Sequence, residues 1–223
     1  MACFKGLCKS TGSTPLYGEV PAAEYCAKSY RIFALCNDFQ FHDAWRFSKP
    51  SSTADLASLV ATVLKLILGN SKGGCVASVL WKVRELLGPL LDGEVFTEPI
   101  PCSKGEKSLS ERDAAHPRGD LPKLIQAVQA YSDLPSATID EFQNGVRVVY
   151  ATGVECAFEF SNSTCHGVIH FALSDTDATF AVFSKTRGVL GALYLRLISP
   201  FRRGVVYPAL LRAMHRRWTY ILV

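Results

Sequence analysis

The sequence predicts an α+β fold in which a curved antiparallel sheet wraps around one long C-terminal helix. From residue 137 onward, apolar and polar residues alternate with a period of two over several short segments. The segments before and after this region have the helical period instead. The order strand, helix, helix, several strands and a terminal helix therefore indicates one mixed domain.

Length and composition support a single domain with a sizeable core. The chain has 223 residues, of which 48% are hydrophobic and 20% are charged. Residues 1–28 have no period, so we expect a flexible N-terminal arm from which Tyr17 and Tyr25 dock on the body. The domain is expected to cover residues 29–223, with an exposed insertion rich in charge, proline and glycine at about 93–120.

The first strand is predicted over residues 30–47, and it contains the stretch DFQFHDAWRF. Strict alternation along this strand gives one face an unusual set of four aromatics and one carboxylate: Phe39, Phe41, Asp43, Trp45 and Phe47. A helix is then expected to begin with Ser52 as N-cap and Asp55 in its first turn. A second amphipathic helix follows, from Val76 to Leu87, before Gly88 and Pro89.

A short helix is predicted over residues 121–131, and four strands follow it as an antiparallel meander. The C-terminal segment returns to the helical period, with breaks expected near Pro200 and Pro208. A curved sheet around a terminal helix is the helix-grip layout, which leaves a concave and mostly apolar space of the kind that binds small hydrophobic ligands.

The C-terminal third resembles a bacterial and fungal family of undefined function within the START-like, polyketide-cyclase-type (SRPBCC) superfamily. The likeness rests on Gly188, Gly191, Leu193-Tyr194, the run Ile198-Ser199-Pro200-Phe201-Arg202, the run Val206-Tyr207-Pro208, and Trp218. The strand TCHGVIHFALS and, more weakly, the stretch FHDAW extend it. The resemblance implies a helix-grip fold, which hosts carriers, receptors and cyclases alike.

Asp43 is the first candidate for a catalytic role. A carboxyl on an apolar strand face is expected to stay protonated, so that it can donate a hydrogen bond to a substrate carbonyl or act as a general acid. The structural alternative is that Asp43 lies near a strand irregularity, or binds an arginine or a backbone amide.

His170 is the second candidate, as an acid, a base or a group that orients the substrate. It shares a strand face with His166, and ordinary hydrogen-bonded histidines are the alternative. Two histidines with Cys156 on the neighbouring strand do not make a convincing zinc site, so we expect no metal. Glu155 and Glu159 are predicted to face solvent or to pair with the basic helix, and Cys156 is predicted to be a buried thiol.

A set of aromatic side chains is expected to form the core and part of a ligand pocket. The residues assigned to ligand binding are Phe41, Trp45, Tyr150, Phe158, Phe160, Phe171 and Tyr194. The sequence contains no nucleotide fingerprint, G-x-S-x-G motif or H-E-x-x-H motif, which argues against a cofactor.

Seven arginines lie in the last forty residues, within a chain of net charge +4. A solvated basic helix is the main interpretation; nucleic-acid binding is not expected, and membrane contact through this helix is conceivable but also not expected. The eight cysteines form no C-x-x-C pair, and no secretory signal or membrane span is evident, which together predict free thiols in a cytoplasmic protein.

These observations predict a cofactor-independent pocket protein. It would bind a hydrophobic polyketide- or terpenoid-like molecule and promote its cyclisation or isomerisation, of which a Diels–Alder-type reaction is one example. The first alternative is a non-catalytic carrier of lipid, sterol or terpenoid. The second is a partner-binding module whose core is filled.

Overall fold

The structure is a computed structural model, and it describes residues 16–68, 107–112, 119–131, 146–161 and 165–222. Within these ranges the chain has an α+β architecture with a curved antiparallel sheet and a long C-terminal helix. The sheet order is β1-β2-β6-β5-β4-β3. Its strands are β1 (Tyr17–Val20), β2 (Gln40–Ser48), β3 (Arg147–Ala151), β4 (Glu155–Ser161), β5 (Cys165–Leu173) and β6 (Asp177–Thr186).

The helices pack against both faces of this sheet. They are α1 (Ala22–Cys26), α2 (Ile32–Leu35), α3 (Leu56–Leu68), α4 (Leu109–Arg112), α5 (Leu121–Tyr131), α6 (Gly188–Phe201) and α7 (Tyr207–Ile221). A π-helical segment, Arg202–Val206, joins α6 to α7. Among the described residues, no helix is both long and apolar enough to cross a membrane.

Two separate cores lie on the two faces of the sheet. On the inner face, Phe47, Phe158 and Phe180 pack with residues of α3, α5 and α7. On the outer face, Val168 and Ala181 pack with residues of α1, α2 and α4. The two faces therefore offer two different places for a polar site.

Helix α3 shows how the inner core is assembled. The carboxylate of Asp55 accepts a hydrogen bond from the backbone N–H of Ser58, and the hydroxyl of Ser58 accepts one from the N–H of Asp55. Asp55 is therefore the N-cap, and the prediction of Ser52 is wrong by three residues. The hydroxyl of Ser58 also accepts a hydrogen bond of 2.8 Å from the indole N–H of Trp218, which ties α3 to α7.

Several predictions are confirmed and others are corrected. The helix at 121–131, the meander and the first helix after the opening strand are confirmed, whereas the second helix, at 76–87, lies outside the described residues. Tyr17 and Tyr25 dock on the body as expected, since β1 pairs with β2 and Tyr25 is buried, but residues 17–26 form β1 and α1 and not a flexible arm. The insertion at 93–120 is not wholly exposed either, since Leu109 is fully buried.

The opening strand begins later than predicted, because residues 32–35 form α2. A β-bulge between Phe41 and Asp43 then exchanges the two faces of the strand. Phe41 pairs with Phe183, whereas Asp43, two residues further along β2, pairs with Val182, which is only one residue away from Phe183 on β6. Phe41 accordingly lies in the outer core, whereas Trp45 lies in the inner core. The predicted single face of four aromatics and one aspartate is therefore wrong.

Candidate functional site

Asp43 lies on the inner face and is buried, with only 2% of its surface exposed. Its Oδ2 accepts a hydrogen bond of 2.7 Å from Arg202, and its Oδ1 lies 2.9 Å from Nε of Arg203. Both carboxylate oxygens thus face guanidinium donors, so Asp43 accepts hydrogen bonds here and is not positioned to donate one. The structure therefore matches the structural alternative given above for Asp43, because this residue lies at a strand irregularity and binds an arginine.

The π-helical segment brings the two arginines to Asp43. Pro200 has no backbone N–H and crowds the preceding turn, and the segment with wider turns begins two residues later. Within it, Arg202 is buried and Arg203 is exposed, with a second ion pair to Glu19. The predicted helix breaks near Pro200 and Pro208 are therefore replaced by a change of helical register, which keeps α6 and α7 continuous.

Aromatic rings surround this ion pair. The guanidinium of Arg202 lies 5.5 Å from the ring centre of Tyr207, which in turn packs edge-on against Trp45 and Phe180. Burial raises the pKa of Tyr207 well above its usual value, so its hydroxyl keeps its proton. The site is thus an apolar environment that contains a few fixed polar groups.

Two hydrogen-bond donors in this site are unused. The indole Nε1 of Trp45 and the Nε of Arg202 are both buried and have no hydrogen-bond partner among the described residues. Leaving a buried donor unpaired costs on the order of 1–3 kcal/mol each. A ligand oxygen, as a carbonyl or a carboxylate, is the group that would remove this cost.

A second polar cluster lies on the outer face, around His170. The hydroxyl of Tyr25 lies 2.7 Å from Nδ1 of His170, and Nε2 of His170 lies 2.8 Å from the carboxylate of Glu155. Glu155 also accepts hydrogen bonds from the backbone of Arg31 and from the hydroxyl of Tyr150. Every polar atom of this imidazole and this carboxylate therefore has a partner within the protein.

The charges of this cluster follow from its environment. Burial raises the pKa of Glu155, but the hydrogen bonds from His170 and Arg31 outweigh it, so the net direction is downward. Burial lowers the pKa of His170, and the nearby carboxylate opposes this only in part. An ionised Glu155 next to a neutral His170 follows, with Tyr25 as donor to Nδ1.

Glu159 and His166 form a similar pair further along the same strands. Nε2 of His166 lies 3.2 Å from Oε2 of Glu159, which also accepts hydrogen bonds from the backbone of Leu109 and the hydroxyl of Ser108. The glutamates are therefore buried partners of the histidines, and the prediction that they face solvent or the basic helix is wrong. Each glutamate on β4 lies diagonally across from its histidine on β5. This placement depends on the register between the two strands, which the sequence does not specify.

The predicted site residues are divided between the two faces. Asp43 and His170, the two candidate catalytic residues, lie on opposite faces and so cannot reach the same side of one small substrate. Of the residues assigned to ligand binding, those in the inner core are Trp45, Phe158 and Phe171, and those in the outer core are Phe41 and Tyr150.

The last two of these residues belong to neither core cluster. Phe160 is half-buried beside Gly167, its cross-strand neighbour, and Tyr194 is half-buried on α6. No role at the site is predicted from the sequence for Arg202, Arg203 or Tyr207. Arg202 and Tyr207 nevertheless lie in the motif that carries the family resemblance, and that motif is the signal that could have identified them.

The described residues contain no cluster of His, Cys, Asp or Glu that could hold a metal ion. Cys156 is fully buried, and burial raises the pKa of its thiol, as expected of a packing residue. Cys26, Cys36, Cys156 and Cys165 are free thiols.

Comparison with known proteins identifies a family. No curated protein and no solved structure matches the chain significantly. A family model described as a protein of unknown function, DUF2867, matches residues 35–209, a range that includes Asp43, Trp45, Arg202 and Tyr207. The chain therefore belongs to this family, DUF2867.

Proposed function

We propose that this protein is a cofactor-independent pocket protein of the START-like, helix-grip class. It binds a hydrophobic polyketide- or terpenoid-like molecule between the sheet and the C-terminal helix and promotes its cyclisation or isomerisation. The observation that carries this proposal is the pair of unused N–H donors, on Trp45 and Arg202, in the buried aromatic environment of the inner face.

The two donors define the chemistry that the site supports. A ligand with one carbonyl or carboxylate oxygen would place it against these N–H groups and its apolar body against rings such as Tyr207 and Phe180. Donors fixed in a low-dielectric site stabilise negative charge that develops on a carbonyl oxygen. Holding a flexible chain in a reactive conformation lowers the barrier further.

Asp43 acts in this proposal as a positioning residue. Its carboxylate holds the guanidinium groups of Arg202 and Arg203, and Arg202 offers its Nε to the ligand. His170 has no part in the reaction, because it lies on the outer face with its partners already filled. Reactions that need no proton acceptor, such as a Diels–Alder-type cyclisation, suit this set of groups best.

A non-catalytic carrier of lipid, sterol or terpenoid is the alternative. The same donors would fix the orientation of a cargo molecule, and one observation favours this role. Within the described residues of the site, the one carboxylate, Asp43, is bound by two guanidinium groups and is not available as a general base.

A matched pair of probe ligands tests the proposal. Farnesoic acid is a terpenoid with a carboxylate, and farnesene is a related hydrocarbon. We expect the acid to bind at least tenfold more tightly, and we expect Trp45→Phe to reduce this preference because it removes one donor. Equal affinity for the two probes, or binding of neither, would contradict the proposal.

Co-purified molecules then separate the enzyme from the carrier. We expect mass spectrometry of the purified protein to identify a bound apolar molecule with an oxygen group. Conversion of that molecule or its precursor on incubation identifies a cyclase or isomerase, with Arg202→Lys slower than the wild type. A bound molecule that stays unchanged identifies a carrier.

A further inference from the structure

Helix α6 carries an uncovered apolar strip. Val189, Leu193 and Leu197 follow one another at four-residue spacing and therefore lie on the same side of the helix. Their surfaces are 84%, 51% and 70% exposed. Aligned large apolar side chains with this exposure usually mark an interaction surface.

The C-terminal segment that contains this strip has charge of a single sign. Asp177 is the last acidic residue of the chain, and eight lysines and arginines follow it. The first 177 residues contain sixteen Lys and Arg against twenty Asp and Glu, a net charge of −4. The C-terminal segment is therefore a strongly basic element attached to a mildly acidic body.

Exposed arginines lie among the apolar side chains. Arg196 lies between Leu193 and Leu197 on the same side of α6, and Arg216 and Arg217 are exposed on α7. These three arginines make no ion pair with the part of the chain that the structure describes. The inner-face residue Arg202 lies in the π-helical segment, and Tyr207, Leu211 and Trp218 lie on the buried side of α7, so the exposed strip on α6 is separate from the inner-face site.

We propose that this strip docks the protein on an anionic lipid surface. Val189, Leu193 and Leu197 would enter the boundary between headgroups and acyl chains, while Arg196, Arg216 and Arg217 contact lipid phosphates. Charge complementarity favours this occupant, because a phosphate-bearing bilayer offers both an apolar layer and negative charge. The proposal does not rest on the function proposed for the inner face.

Two other occupants fit less well. A nucleic acid would pair with the arginines but would give no partner to three exposed aliphatic side chains. A second copy of this chain, related by a two-fold axis through the strip, would bring two basic segments together without acidic partners. Both become outcomes of the test.

The test is co-sedimentation of the full chain with vesicles. We expect binding to vesicles of phosphatidylcholine with one quarter phosphatidylglycerol, little binding to pure phosphatidylcholine, and weaker binding as the salt concentration rises. The double variant Arg196→Gln/Arg216→Gln should bind about twentyfold more weakly. Leu193→Ser/Leu197→Ser should lose about tenfold or more, because apolar contact is removed.

Matched controls use exposed residues elsewhere. Lys123→Gln on α5 removes one exposed charge, and Val154→Ser, between β3 and β4, removes one exposed aliphatic side chain. Both controls should bind like the wild type, and the circular dichroism of all variants should be unchanged. Absence of binding, equal binding to neutral vesicles, or equal losses in the controls would overturn the proposal. Duplex nucleic acid that displaces the protein from the vesicles through the same arginines, or a dimer that the leucine variants dissociate, would also overturn it.

Discussion

Two buried polar clusters on opposite faces of the sheet differ in how their groups are paired. On the outer face, His170, Glu155 and Tyr25 form a network in which each group is paired within the protein. On the inner face, Trp45 and Arg202 each keep a buried N–H without a partner in the described structure. Completed networks usually hold a fold together, whereas incomplete ones point to a ligand. We therefore propose that the outer cluster stabilises the fold and that the inner one binds a ligand.

The largest effect on stability is expected from the outer network. Glu155→Gln removes the charged acceptor shared by His170, the backbone N–H of Arg31 and the hydroxyl of Tyr150, and losing hydrogen bonds to a charged group costs about 1.5–3 kcal/mol each. Urea unfolding measures this loss in the free energy of unfolding. Glu24→Gln is the control, because its ion pair with Arg46 is exposed and should contribute less than about 1 kcal/mol. A loss below about 1 kcal/mol for Glu155→Gln would show that the network is not structural.

A close contact on the inner face gives the next effect. A Cβ at position 167 would overlap the ring of Phe160, so Gly167→Ala is expected to cost about 1–3 kcal/mol. Gly18→Ala is the control, because no atom lies within 4 Å of the Cβ that it adds. Thermal unfolding of the two variants should therefore differ clearly. Equal melting temperatures would mean that this end of the inner face is as loosely packed as the surface.

The pH dependence of stability is a more gradual effect. The pKa values of His170 and Glu155 are both lowered in the folded state, so the unfolded chain binds more protons in acid. Stability is fully present above about pH 6.5, the ordinary pKa of histidine, and falls as His170 and then Glu155 must be protonated. His170→Gln should be less stable at pH 8 and should lose less stability than the wild type between pH 7 and pH 5. Parallel pH profiles for the two proteins would contradict this assignment.

The smallest effect on the free protein is expected at Trp45. Trp45→Phe removes a donor that has no partner in the described structure, so only packing is lost and stability should change by less than about 1 kcal/mol. Trp218→Phe is the matched variant, because it leaves Ser58 without its indole donor and should cost about 1–3 kcal/mol more. Equal losses for the two tryptophans would show that Trp45 is also an ordinary core residue.

Local patterns in the sequence predicted much of the fold. The meander, the helix at 121–131 and the long C-terminal helical region follow from periodicity alone. The faces of β2 could not be predicted beyond Phe41, because one bulged residue exchanges the two sides of a strand. The pairing of Glu155 with His170 depends on the register between β4 and β5, which is a tertiary property.

The inner-face site was predicted only in part. Asp43 and Trp45 were identified because a carboxylate among aromatics is unusual on a strand. Their partner Arg202 comes from the far end of the chain and reaches them only through the π-helical segment after Pro200. A change of helical register of this kind leaves no periodic signal in the sequence.

The most direct test of the account is the NMR signal of two indole N–H groups when farnesoic acid is added. The indole of Trp218 already donates to Ser58 and serves as an internal reference, and Trp45→Phe and Trp218→Phe identify these two signals among those of the three tryptophans. We expect the Trp45 resonance to shift downfield as its N–H acquires an acceptor, while the Trp218 resonance stays in place. A saturating amount of bound acid that leaves the Trp45 resonance unmoved would contradict the claim that this inner face is a ligand site.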